Sequence, residues 1–218
     1  MSAISCSLPR AAMTSVAAQL ETNLLMVEAT VGGLDGTFLI GTAHPATVLD
    51  DELAVSSGRR GRVHVRLGNR FSARVRPERA DLGGIADGIL GADLWRDRSL
   101  TIDYVKGLVT IGNDADPLME GLRQSFELVP RVPILVDGAE VSAVVDTANP
   151  DTILLPQATF GEPGRRRVDL QVGVTRIPGV DARVAPIDEV RLGNRILSRF
   201  LVTIDYANRE VALWPYPR

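Results

Sequence analysis

In residues 62–76, RVHVRLGNRFSARVR, apolar and polar positions alternate on either side of a polar break. Val63, Val65 and Leu67 interleave with Arg62, His64 and Arg66, while Phe71, Ala73 and Val75 interleave with Ser72, Arg74 and Arg76. A period of two is that of a strand with one buried face, so the stretch predicts a hairpin. A two-residue loop at Gly68-Asn69 would set Val65 opposite Ser72 and mix the faces. A three-residue loop, Gly68-Asn69-Arg70, gathers the apolar side chains on one side, and register follows the buried face. The other side is then arginine-rich: a solvated surface, or a face for an acidic ligand.

The same punctuation runs through the chain. LLMVEATVGGLDGTFLI (24–40) and ELVPRVPILVDGAEVSAVV (127–145) are apolar-rich runs broken by Gly and Asp, a hairpin signature. LTIDYVKGLVTIG (100–112) and VTIDYANREVALW (202–214) again read as two strands joined by a short polar turn. Helix is scarce; LGADLWRDR and the stretch after Pro156 are the candidates. Asp103 and Asp205, in the twin TIDY phrases, read as turn or strand-end acids.

Two phrases recur in the same order. LIGTAHPATVL (39–49) matches VVDTANPDTIL (144–154) at an offset of 146 − 41 = 105. LGADLWRDRSLTIDYVKGLVTI (90–111) matches LGNRILSRFLVTIDYANREVAL (192–213) without a gap, at 205 − 103 = 102. Internal repeats of this kind indicate duplication. The fold class expected is therefore all-β, with two similar β lobes and few short helices. The expected layout is an N-terminal arm at 1–23, lobe one at 24–112, a linker at 113–125 and lobe two at 126–218.

Composition narrows the partners. The 218 residues are 45% hydrophobic and 23% charged with a net charge of −3, as for a folded globular chain. That charge gives no general attraction to nucleic acid or anionic membrane, and no run of about 18 apolar residues predicts a membrane span. Lys106 is the only lysine among 24 basic residues. Cys6 is the only cysteine, and His44 and His64 the only histidines, so neither an intrachain disulfide nor a typical zinc site is expected. No cofactor is implied. The start, MSAISCSLPRAAMTSVAAQL, lacks the basic and apolar regions of a signal peptide and reads as an arm. The compartment is cytoplasmic by default, or exported if a signal lies upstream; a monomer is plausible.

AVVDTANPDTIL (143–154) ends an apolar strand on a carboxylate, followed by Thr and a small residue. With GILGADLW (88–95) and the repeat, it resembles the aspartic peptidase family, retropepsin-like and pepsin-like, over nearly the whole chain after residue 24. The resemblance implies two lobes, each supplying one loop with a catalytic Asp, and a ligand cleft between them. In that chemistry two adjacent carboxylates share a proton: one activates water while the other donates to the scissile carbonyl. Thr42 and Thr147 would cross-brace the loops, and the hairpin 62–76 would be the flap, placing Arg62, His64, Arg66, Arg74 and Arg76 over the cleft. Asn149 would sit beside the acid.

The pattern departs from the family at its centre. Asp146 holds the acid position of lobe two, but Gly41 holds it in lobe one. Ala43 and Ala148 replace the loop glycine, His44 and Asn149 the residue after it, and Arg191 stands where an apolar residue is expected. Loss of one acid/base group costs on the order of 10²–10⁴-fold in rate. Three functions follow: a pseudo-peptidase binding a peptide or small molecule in the inter-lobe cleft, an atypical aspartic endopeptidase, or a non-proteolytic enzyme using Asp146 with His44. In the last case His44 would titrate above the ~6.5 of a free histidine. His44 also reads simply as a loop histidine before Pro45, and Asp146 as a brace at the lobe junction. Because position 41 matches position 146, its backbone is expected to suit a non-glycine residue, so that Gly41→Asp folds.

Overall fold

Hairpin turns and alternating apolar positions build nineteen strands in a computed structural model that describes residues 13–56, 61–112 and 122–216. The first half holds β1 (Thr14–Glu21), β2 (Leu24–Val31), β3 (Leu34–Ile40), β4 (Val48–Asp50), β5 (Val63–Leu67) and β6 (Phe71–Val75), then β7 (Glu78–Ala80), β8 (Gly88–Leu90), β9 (Ser99–Asp103) and β10 (Leu108–Gly112). The second holds β11 (Leu122–Ser125), β12 (Arg131–Val136), β13 (Ala139–Val145), β14 (Ile153–Pro156) and β15 (Gly164–Val172), then β16 (Thr175–Ala185), β17 (Val190–Leu192), β18 (Phe200–Asp205) and β19 (Glu210–Pro215). Short helices follow strands at α1 (Asp51–Ser56), α2 (Gln157–Phe160) and α3 (Asn194–Leu197), with a 3-10 turn at Ala92–Leu94. Among the described residues no helix is long and apolar enough to cross a membrane.

Both leading hairpins turn on two residues. Gly32-Gly33 joins β2 to β3, and Asp137-Gly138 joins β12 to β13, all four residues having positive φ. That conformation matches the strand twist, and glycine adopts it without steric cost. The hairpin β5–β6 has the expected three-residue loop: Leu67 pairs with Phe71, Val65 with Ala73 and Val63 with Val75. Val63, Val65, Leu67, Phe71 and Val75 are buried, with Phe71 packed on Trp95 at 5.6 Å between centroids. Burying each of these larger side chains contributes about 1.5–3 kcal/mol.

The second half closes a barrel in the order β12-β13-β17-β14-β16-β15, while a 13-stranded sheet carries the rest. Where the halves meet, β9 and β18 pair antiparallel with Thr101 opposite Thr203, residues that the 102-residue offset of the repeat equates. The strands flanking this junction correct two expectations. Residues 14–21 of the expected arm form β1, bonded to β10 and then to β2. Residues 122–125 of the expected linker form β11 on β19, whereas 113–121 lie outside the described residues. The buried positions of β1 are Thr14, Val16 and Ala18, small side chains whose apolar signal is weak until a long-range partner covers them.

Candidate functional site

The loops after β3 and β13 are held by the same set of backbone bonds. Gly41 N–H donates to Leu90 O at 3.0 Å, and Asp146 N–H to Leu192 O at 3.0 Å. His44 N–H donates back to Gly41 O, and Asn149 N–H to Asp146 O, both at 3.2 Å. Ala92 N–H reaches His44 O at 2.7 Å, and Asn194 N–H reaches Asn149 O at 3.0 Å. Thr42 and Thr147, both with no exposed surface, join the loops. Thr42 N–H donates to Thr147 Oγ1 at 3.2 Å, and Thr147 N–H to Thr42 Oγ1 at 3.1 Å. The hydroxyls donate onward, Thr42 to Val145 O and Thr147 to Ile40 O. Each polar atom is satisfied by the opposite loop, so neither lobe can leave without orphaning buried donors, at about 1–3 kcal/mol each.

At the acid positions the loops diverge, and each divergence is matched by its neighbour. β8 lies parallel to β3 with Leu39 beside Ile89; β17 lies parallel to β13 with Val144 beside Arg191. Asp146 is 4% exposed; its Oδ1 accepts Ala148 N–H at 3.1 Å and its Oδ2 accepts Arg191 Nη1–H at 3.1 Å. The buried carboxylate is therefore charge-compensated inside its own lobe. Opposite, a Cβ added to Gly41 would overlap Ile89 Cγ2 and lie 3.0 Å from His44 Cδ2. The φ of Gly41 is not positive, so the obstacle to a side chain there is space alone. Lobe one thus pairs Gly with Ile where lobe two pairs Asp with Arg. The backbone at position 41 thus accepts a non-glycine residue as expected, but aliphatic and imidazole atoms occupy the volume an aspartate side chain would need, against the expectation for Gly41→Asp.

His44 stands near Asp146, Arg191 and Glu78, and all three charges act on it. Burial is the largest influence and lowers its pKa; Asp146 and Glu78 pull upward, Arg191 pushes down, and the net shift is below 6.5. The imidazole is therefore neutral at pH 7. The expected elevation by Asp146 does not occur, because desolvation outweighs the attraction and Arg191 already holds the carboxylate. Among the described residues His44 and Asp146 share no hydrogen bond. Asn149, 5% exposed, caps its own loop through Oδ1, which accepts Asp151 N–H at 3.0 Å. Asn149 Nδ2 and Arg191 Nε are buried without a hydrogen-bond partner among the described residues.

The hairpin 62–76 is anchored at the turn end of β2–β3. β5 pairs with β2 at Thr30 and Val31, whose β3 partners are Asp35 and Leu34. Asp35 precedes Gly41 by six residues, about 20 Å along an extended strand. A Cβ at Gly68, in the tip, would lie 3.1 Å from Val16 of β1, so the closed end rests beside the base sheet. Arg62, His64, Arg66, Arg74 and Arg76 are exposed, and two residues after Arg76 the chain meets the first loop, where Glu78 N–H donates to Thr47 O at 2.9 Å. Asp103 and Asp205 are turn acids as read: Asp103 accepts Lys106 N–H and Tyr216 O–H, and Asp205 accepts Asn208 N–H.

Three residues with a part in the site were not singled out as site residues. Arg191 was visible only as a charge at an apolar position, and Ile89 as an ordinary strand residue. Asn194, fully buried, donates Nδ2–H to Thr147 O and Asn23 O, each at 2.7 Å, and accepts Tyr104 O–H at 2.7 Å. It ties the second loop to the β1–β2 turn and to β9–β10, contacts for which the sequence carries no local signal. Among the described residues no three His, Cys, Asp or Glu side chains converge to ligate a metal.

No family model matches the chain, and no curated protein matches it in sequence. In structure it is similar to an aspartic proteinase from Irpex lacteus, with a TM-score of 0.61 over 94% of this chain and 97% of that one. Identity in that match is 11%, so the likeness is one of fold. The chain is an all-β protein with an aspartic-proteinase-like fold.

Proposed function

We propose that this chain is a pseudo-peptidase: a two-lobed protein, derived by internal duplication, that binds a peptide or small molecule between its lobes without cleaving it. One observation carries the reading. The single acid, Asp146, is committed to Arg191 at 3.1 Å, and the volume a second acid would need at position 41 is filled by Ile89 and His44. Proton sharing between two carboxylates cannot arise from one carboxylate paired with a guanidinium. A lone Asp146 would have to act as base toward water and acid toward the carbonyl of the same intermediate, while leaving its ion pair. The recurring bonds around both loops, and the pairing of Thr101 with Thr203, support the duplication.

The test is a peptide-library digest between pH 3 and pH 7 with wild type and Asp146→Asn. Equal, background-level cleavage is expected from both. Cleavage by wild type that disappears in Asp146→Asn would establish an atypical endopeptidase instead.

A further inference from the structure

We infer that the wall of lobe two beside Asp146 is a cationic track that selects an extended, acidic peptide segment; the inference rests on the ligand-binding reading above and names its ligand class. Strand register carries it. Arg191 of β17 pairs with Leu154 of β14, Leu154 with Arg183 of β16, and Arg183 with Arg165 of β15. Residues in register share a face, and here it is the outer one: Ile153, Leu155, Ala182, Val184 and Leu192 point inward and are buried. Three arginines therefore lie in one lateral row starting at the partner of Asp146. At about 4.8 Å per strand, the row runs about 14 Å from Arg191 to Arg165.

The corresponding row of lobe one has the opposite character. Leu39 pairs with Ile89, Ile89 with Val48 and Val48 with Glu78. Leu39 and Ile89 belong to a small apolar cluster against which Val48 packs. The wall of lobe one is thus aliphatic up to the exposed Glu78 at its end, and that of lobe two is basic.

Folding does not account for the basic row. Arg165 and Arg183 stand directly opposite each other on antiparallel strands, an arrangement that is destabilising for like charges. The counterions facing the row are Asp146 for Arg191 and Asp151 for Arg183, the latter at 3.4 Å with both groups partly exposed. Arg167, next along β15, is matched by Asp181 at 3.6 Å, and Arg165 has no ion-pair partner among the described residues. The exposed Arg183–Asp151 and Arg167–Asp181 pairs hold about 0–1 kcal/mol and yield readily to a competing carboxylate, whereas Arg191 stays with the buried Asp146. In an extended peptide, acidic side chains at alternate positions lie about 6.6 Å apart on one side. Two of them can meet Arg183 and Arg165, which stand on adjacent strands about 4.8 Å apart, with Arg191 adding its charge from the far end of the row beyond Leu154.

The probe is a fluorescent hexapeptide, LEAEAE, compared with LQAQAQ and LKAKAK by anisotropy at low and at moderate salt. LEAEAE is expected to bind on the order of tenfold more tightly than LQAQAQ, with LKAKAK weakest, and its advantage to shrink as salt rises. Arg165→Gln and Arg183→Gln, both at exposed positions, should each weaken LEAEAE about threefold and leave LQAQAQ unchanged. Arg165→Glu should reverse the order of LEAEAE and LKAKAK. Equal binding of LEAEAE and LQAQAQ would overturn the track while leaving a neutral peptide cleft standing. Binding of none of the three would overturn both readings. A single-stranded oligonucleotide that outcompetes LEAEAE would assign the row to phosphate and refute the peptide.

Discussion

Replacing Arg191 by isoleucine, the residue found at the matching position of lobe one, isolates what compensates the buried acid. The Asp146 side chain is 5% exposed and that of Arg191 36%. Without the guanidinium, Oδ2 loses its partner and only the Ala148 N–H remains, on Oδ1. Breaking a fully buried ion pair costs about 3–5 kcal/mol, and a solvent-exposed one about 0–1 kcal/mol. Arg191 reaches water but Asp146 does not, so Arg191→Ile should cost about 2–3 kcal/mol, or about 5–10 °C in Tm for a chain of this size. Asp146→Gly alone leaves a guanidinium able to turn to solvent and should cost about 1 kcal/mol, mostly backbone entropy. The double variant recreates the Gly41/Ile89 solution in lobe two. It should lie within about 1–2 kcal/mol of wild type, a favourable coupling of about 2 kcal/mol. Urea unfolding of the four proteins, analysed by linear extrapolation, reads all the terms. Additive losses, or an Arg191→Ile cost below about 0.5 kcal/mol, would refute the compensation argument.

Two further outcomes follow from the same loops. Gly41→Ala should destabilise by about 1–3 kcal/mol through overlap with Ile89, and Gly41→Asp by more. Ile89→Ala, itself costly, should cancel part of that loss in the double variant, so purely additive urea midpoints would argue against the steric account. Because burial keeps the His44 pKa below 6.5, the folded protein leaves it neutral while the unfolded chain takes up a proton below about 6.5. Stability contributed by neutral His44 is thus present above that pH and falls as pH drops from 7 toward 5, by at most about 1.4 kcal/mol per unit. His44→Gln should flatten that part of the pH profile; identical profiles between pH 7.5 and 5.5 would contradict the desolvation argument.

The primary structure alone determined the features that depend on neighbours in the chain. Alternation in 62–76 set the buried face and ruled out the two-residue loop of β5–β6, since a slip of one residue would mix arginine into that face. Gly32-Gly33 and Asp137-Gly138 specified their tight turns because few other residues accept positive φ at both positions. The repeated phrases revealed the two matched loops, and their threonines meet as the family resemblance implied. Tertiary structure decided whatever depends on register between distant strands. β1 is recognisable as a strand only once β10, some ninety residues later, covers Thr14 and Val16. The β5–β6 hairpin joins β2 at Thr30 and rests its tip beside Val16, a choice its own pattern does not contain. The parallel pairing of β17 with β13 carries Arg191 across 45 residues to Asp146, and that of β8 with β3 sets Ile89 against Gly41. Local periodicity specifies which face of a strand is buried; only the packed sheet specifies which side chain stands beside the acid.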